Sequence, residues 1–243
     1  MISTLWHIIV YKPLYNALMF FIGVLPGQSV GGAIILLTII VKLALYPLTG
    51  KSIKAQRAMK ELEPELKQIR EKHKEDKQLQ AKKTMELYQE RGVTPFSGCL
   101  PLFIQIPIII GLYWVFRDLK INEVMFYGFV SKPTSLDMHF LFFDLAKKSI
   151  ILAGLSGVTQ FIQTHLTLGR QSISTPTPAT DAKPTFQEDF AKSMQVQMRY
   201  VLPVMISFIA FNTSAAVALY WTTSNILSII QELLMRRKKE GSK

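Results

Sequence analysis

Apolar residues in this chain gather in long blocks separated by strongly polar stretches. A soluble core would instead spread them at helix or strand period. A hydrocarbon core needs about 20 predominantly apolar residues in a helix. Residues 30–50, VGGAIILLTIIVKLALYPLTG, supply them with Lys42 as their one charge. A second block occupies 95–117 and is uncharged from 96 to 116. A third occupies 149–169. The last, 198–235, is too long for one span and is divided by Asn212-Thr213-Ser214, which predicts two helices, 198–212 and 215–235. The helix at 198–212 is short for a span, so it either borrows Val196 and Met198 or lies where the bilayer thins. The pattern predicts an all-α membrane protein with five transmembrane helices.

Residues 1–29 form a weaker apolar segment. Leu14, Leu18, Phe21, Ile22 and Leu25 recur at helical spacing, which favours an amphipathic helix lying in the interface. A cleaved signal peptide is the rival reading, but no A-x-A site follows the apolar run.

The polar stretch 51–94 is patterned as a helical hairpin. Met59, Leu62, Leu66 and Ile69 step by three and four, a narrow apolar seam. Pro64 inside that seam predicts a kink or a restart. The residues from His73 to Asp76 read as a turn, and a second helix follows with Leu79, Met85 and Tyr88 as its apolar positions. Gly92 ends it. A solvated loop and a docking arm for a ribosome or an incoming chain are the two readings, and the length of patterned helix favours the arm. Residues 170–197 include QSISTPTPATDAKPTF, whose Ser, Thr and Pro predict a linker.

Charge adds an orientation. The stretches 51–94, 170–199 and 236–243 hold twelve, four and five of the 28 lysines and arginines. The positive-inside tendency then places those three in the cytoplasm, with the N-terminus outside and 118–148 an extracytoplasmic loop. The net charge of +11 calls for an anionic partner. Its position beside the spans, and in the basic tail 236–243, points to anionic lipid or a ribosome rather than to DNA. The one cysteine, Cys99, excludes an internal disulfide and reads as a small packing residue in an apolar run.

Lys42 is the outstanding candidate residue. It lies roughly 12 Å from the cytoplasmic end of its span at about 1.5 Å per residue. A lysine at the bilayer centre costs about 2.5–3.5 kcal/mol on insertion scales. It either snorkels to the inner interface or faces a hydrated cavity. Thr38 lies one turn earlier on the same face. The other spans add Gln105, Gln160, Gln163, Tyr220, Trp221 and Asn225. The plain alternatives are interhelical hydrogen bonds for the amides and ordinary packing for the two aromatics. The set suggests a groove with one cation, several amides and no intramembrane carboxylate. It lacks the acid a proton-coupled pump would use. It also lacks a nucleophile with its base, a phosphate loop and a metal-spaced cluster. No enzymatic activity, cofactor or metal is therefore expected. A small-solute transporter or channel, the alternative function, would call for an inverted repeat, and none is visible.

These residues resemble the YidC/Oxa/Alb membrane protein insertases. The likeness runs from about residue 6 to 239. It is carried by GCLPLFIQIPIIIGLY at 98–113, by Tyr46-Pro47-Leu48-Thr49, by GVTQFIQ at 157–163 and by LYWTTSNILSIIQE at 219–232. The resemblance implies a five-helix core in the bacterial plasma membrane. Its hydrophilic groove would open to cytoplasm and lipid and close to the outside. It also implies a compact form of the family and action on nascent membrane-protein segments without ATP. The Sec translocon is a partner the resemblance suggests, and a chaperone role on already inserted helices stands beside insertion. Gln163 and Trp221 match groove positions of the family. Lys42 stands where the family usually has an arginine, so a point ammonium replaces a planar fork.

Overall fold

Leu25-Pro26-Gly27 breaks the first helix. The computed structural model describes residues 5–93, 100–117, 119–168, 193 and 196–240. Within these, helix α1 opens as a π turn, His7–Tyr11, and continues as Lys12–Val24. Gly27 then takes φ 72°, a left-handed conformation that glycine adopts without a Cβ clash. Helix α2 follows as Val30–Glu61. It runs without interruption past residue 50, where the span was expected to end. The expected span and the start of the polar stretch are therefore one continuous helix, because nothing between Thr49 and Glu61 breaks the helical ladder.

Pro64 marks the next boundary. The chain restarts as α3, Glu63–Lys72, with the proline in the first turn, where its missing N–H costs nothing. Helix α4 is Lys77–Glu90, capped by Asp76, whose carboxylate accepts from the Gln78 and Leu79 amides at 3.0 and 2.9 Å. Gly92, at φ 61°, closes its end, and the Val93 amide reaches back to the Tyr88 carbonyl at 2.9 Å. Leu62, Leu66 and Leu87 are buried together between the arms, with Ile69, Tyr88 and Val93 around them. Leu87 thus fills the place expected of Met85, which is 49% exposed.

Helix α5 is Leu100–Arg117, α6 is Ile150–Leu168, and α7 is a π turn, Gln197–Val201, running into Leu202–Asn212. Helix α8 is Ala215–Glu240. The turn at Thr213-Ser214 separates α7 from α8, which packs mainly on α6 and α2. The loop between α5 and α6 contains a two-stranded hairpin, β1 His139–Phe140 and β2 Phe143–Asp144. The linker expected at 171–186, Cys99 and the residues beyond Glu240 lie outside the described residues.

Helix α6 packs most extensively on α8 and on α7, and α2 packs on both α8 and α1. The main core gathers Tyr15, Leu18, Met19 and Ile22 of α1, Val30 to Leu37 of α2, Leu112 to Phe116 of α5, Leu152 and Ala153 of α6, Ile206 and Ala210 of α7 and Ala215 to Trp221 of α8. These lie at one end of the bundle, the end carrying the 119–148 loop. Among the described residues two helices are long and apolar enough to cross a membrane, His7–Val24 and Val30–Gln56, and Gln105–Arg117 is a shorter apolar helix. Many large apolar side chains face outward along the remaining helices, among them Ile151, Val158, Val204, Phe208 and Ile230.

Candidate functional site

Beyond its apolar core the bundle is bridged by polar side chains. Lys42 sits midway along α2 and is partly buried. Its ammonium donates to the Ser228 hydroxyl of α8 at 2.8 Å, and Ser228 donates to the Ser224 carbonyl at 2.9 Å. One turn earlier, Thr38 is buried and donates to the Ile34 carbonyl of its own helix at 2.6 Å. Its hydroxyl is thus spent on backbone, a common fate of threonine inside a helix.

Two polar seams run down α8. Tyr220, Ser224 and Ser228 recur every four residues, so they share a face. Along that face Gln105 of α5 donates to the Tyr220 hydroxyl at 2.6 Å, Lys42 meets Ser228, and Gln231 bonds the Thr49 hydroxyl at 2.7 Å. The second seam faces α6. Asn225 donates to the Ser156 carbonyl and the Thr159 hydroxyl, both at 3.2 Å. Ser207 of α7 donates to the Ala153 carbonyl at 2.9 Å, and a Cβ on Gly157 would overlap that serine. Small residues therefore let α6 and α7 approach closely.

The seven candidate residues fall unequally on this frame. Lys42, Gln105 and Tyr220 lie on the first seam. Gln160 is buried and bonded to Thr164 on its own helix at 3.1 Å. Gln163 is half-buried, and Trp221 is buried in the main core beside Tyr220. Sequence reasoning missed Ser228 and Gln231, although the four-residue spacing from Tyr220 through Ser224 was available to find the first.

Glu232, at the C-terminal end of the stretch 215–235 expected to span, is a buried carboxylate, 4% exposed. Arg236 holds it through Nε at 3.1 Å and also bonds the Leu166 carbonyl of α6. A buried acid needs such a partner, and this one ties the C-terminal halves of α6 and α8 together. Arg199, counted with the cytoplasmic charges, is buried at the start of α7. Among the described residues no three His, Cys, Asp or Glu side chains converge on a point that would hold a metal.

The arrangement offers one amphiphilic face: a partly buried cation, amides and hydroxyls midway along the helices, with apolar side chains on either side. It suits a chain that is part charged and part apolar. A family model described as 60Kd inner membrane protein matches residues 21–242. The chain is 34% identical over 213 residues to the membrane protein insertase YidC of Francisella philomiragia, an alignment spanning 87% of this chain and 33% of that protein. Against the membrane protein insertase YidC of Francisella tularensis subsp. novicida the identity is 35%, with the same spans. The chain thus covers about a third of the length of these curated relatives.

Proposed function

The chain belongs to the family described as 60Kd inner membrane protein, and from that premise we propose that it is a membrane protein insertase and chaperone of the bacterial inner membrane. The observation that carries the reading is the Lys42–Ser228 contact, a cation held between two helices below a closed apolar core. In the proposed topology α2, α5, α6, α7 and α8 cross the bilayer. The core end and the 119–148 loop lie outside, and the hairpin and C-terminus lie in the cytoplasm. Apolar packing at the outer end and polar seams further in favour a groove open to the cytoplasm and closed to the outside.

The mechanism needs no catalytic residue, cofactor or ATP. A short hydrophobic segment leaves the ribosome beside the α3–α4 arm. Its polar or acidic tail enters among Lys42, Gln105 and the α8 hydroxyls, where the ammonium and hydrogen-bonding groups lower the cost of leaving water. The apolar part moves along α6 and α8, past Gln163 and Trp221, and partitions into lipid. An acidic tail moving outward is helped by the membrane potential, by about 2.3 kcal/mol per charge per 100 mV. Anionic lipid would meet the basic tail, and the Sec translocon is a further partner. Complementation of an insertase-depleted bacterium tests the reading. Growth is the expected result, and failure beside an expressed, working relative would contradict it.

A further inference from the structure

The hairpin in the 119–148 loop is fastened at its base and apolar at its tip. At the base, Leu145 is fully buried and its amide donates to the Met138 carbonyl at 2.8 Å. The first amides of α8, Ala215 and Ala216, donate to the Lys147 and Leu145 carbonyls at 2.7 and 3.2 Å. On the other side the Val30 amide donates to the Asp137 carbonyl at 3.0 Å, and Phe140 lies over Gly31 so closely that a Cβ there would overlap its ring. The hairpin is thereby bound to the first turns of both α2 and α8.

Its tip is unsuited to water. Strand pairing leaves Leu141 and Phe142 as the two-residue loop, 78% and 82% exposed, with Leu141 at φ 54°. Such loops in aqueous proteins favour Asn-Gly or Asp-Gly, which tolerate left-handed backbone and hydrate well. Leucine there is unfavourable both in backbone and in hydration. A non-aqueous medium removes the second cost. The neighbourhood fits a lipid boundary. Lys148 lies over the Phe211 ring at 6.0 Å, Phe211 and Phe208 are exposed on α7, and Ile150 and Ile151 are exposed at the start of α6. An apolar surface edged by lysines is the pattern of a segment at the headgroup level.

We propose that Leu141 and Phe142 insert into the adjacent phospholipid leaflet. Because the hairpin is bound to α2 and α8, this contact fixes the depth of the two helices that carry Lys42 and Ser228. The proposal rests on the helices crossing the bilayer as described above, and is independent of insertase activity. The test places a nitroxide label at Phe142→Cys, and separately at Leu141→Cys, in the full chain carrying Cys99→Ser. The protein is reconstituted in vesicles of phosphatidylethanolamine and phosphatidylglycerol. Lys132→Cys serves as the aqueous reference and Phe208→Cys as the lipid reference. The expected result is a several-fold higher ratio of oxygen to nickel-chelate collisions at 141 and 142 than at 132. A water-like ratio at both tip positions, with a lipid-like ratio at 208, would overturn the proposal and leave the topology standing. Shielding of the tip from both reagents would also overturn it, since a second protein surface would then cover the hairpin. A water-like ratio at 208 as well would overturn the topology and the proposal together.

Discussion

Lys42 and Ser228 are the residues on which the account turns. The ammonium is held by a hydroxyl rather than a carboxylate, so its charge stays available to an incoming acidic group. Lys42→Ala should slow insertion of substrates with acidic translocated tails several-fold while leaving neutral-tailed ones little changed. Lys42→Arg should preserve both. Paired insertion assays on the two substrate classes check this, and equal losses across them would remove the role assigned to Lys42. Gly157 gives a second prediction of another kind. A Cβ there would overlap the Ser207 side chain and crowd the Pro203 carbonyl, so Gly157→Ala should destabilise the α6–α7 contact by about 1–3 kcal/mol, as overpacking does. A thermal melt in detergent would register the loss. Lys42 was legible in the sequence because a charge in an apolar block is conspicuous. Ser228 was not, because serine is common in membrane helices and only the packing of α8 on α2 singles it out.

The elements differ in how firmly they are held. Asn225 links α8 to α6 through two hydrogen bonds. Interhelical bonds of this type average about 0.6 kcal/mol and reach about 1.7, so Asn225→Ala should cost about that much in an unfolding titration. The cytoplasmic arm has a small core of its own. Leu66→Ala removes one of its three buried leucines and should raise amide exchange throughout α3 and α4. Glu65→Gln, which breaks an exposed pair with Arg91 at 2.8 Å, should change stability by less than about 1 kcal/mol. Hydrogen exchange of the two variants separates these effects. The arm was readable from its seam and from Pro64. Its second helix was misread at Met85, because a weak pattern of scattered apolar residues does not fix which side meets the partner. The unbroken α2 was also missed. Composition changes sharply near residue 50, but a helical ladder is indifferent to that change.

At the scale of the whole molecule, the apolar core occupies one end and the polar seams continue toward the other. A bundle built this way is closed at one end by packing and left accommodating along its length. The division was half visible in sequence. Blocks of apolar residues announced helices, whereas the end at which they lock together depends on contacts between distant segments, such as Tyr15 with the 119–127 stretch. There the Tyr15 hydroxyl donates to the Lys120 carbonyl at 2.8 Å and accepts from the Asn122 amide at 2.9 Å. Glu232 escaped notice for a similar reason. It sits at the end of an apolar run, and only the packed structure brings Arg236 and the Leu166 carbonyl around it. In the proposed mechanism a nascent segment travels along these seams. Photoprobes at three groove positions, Lys42, Gln163 and Trp221, with a further probe at exposed Met85 of the α3–α4 arm, in ribosome complexes stalled on a short single-span substrate, test it most directly. Adducts at all three positions are the predicted result. Adducts confined to the α3–α4 arm, with none at those three, would contradict a substrate groove and leave a docking chaperone in its place.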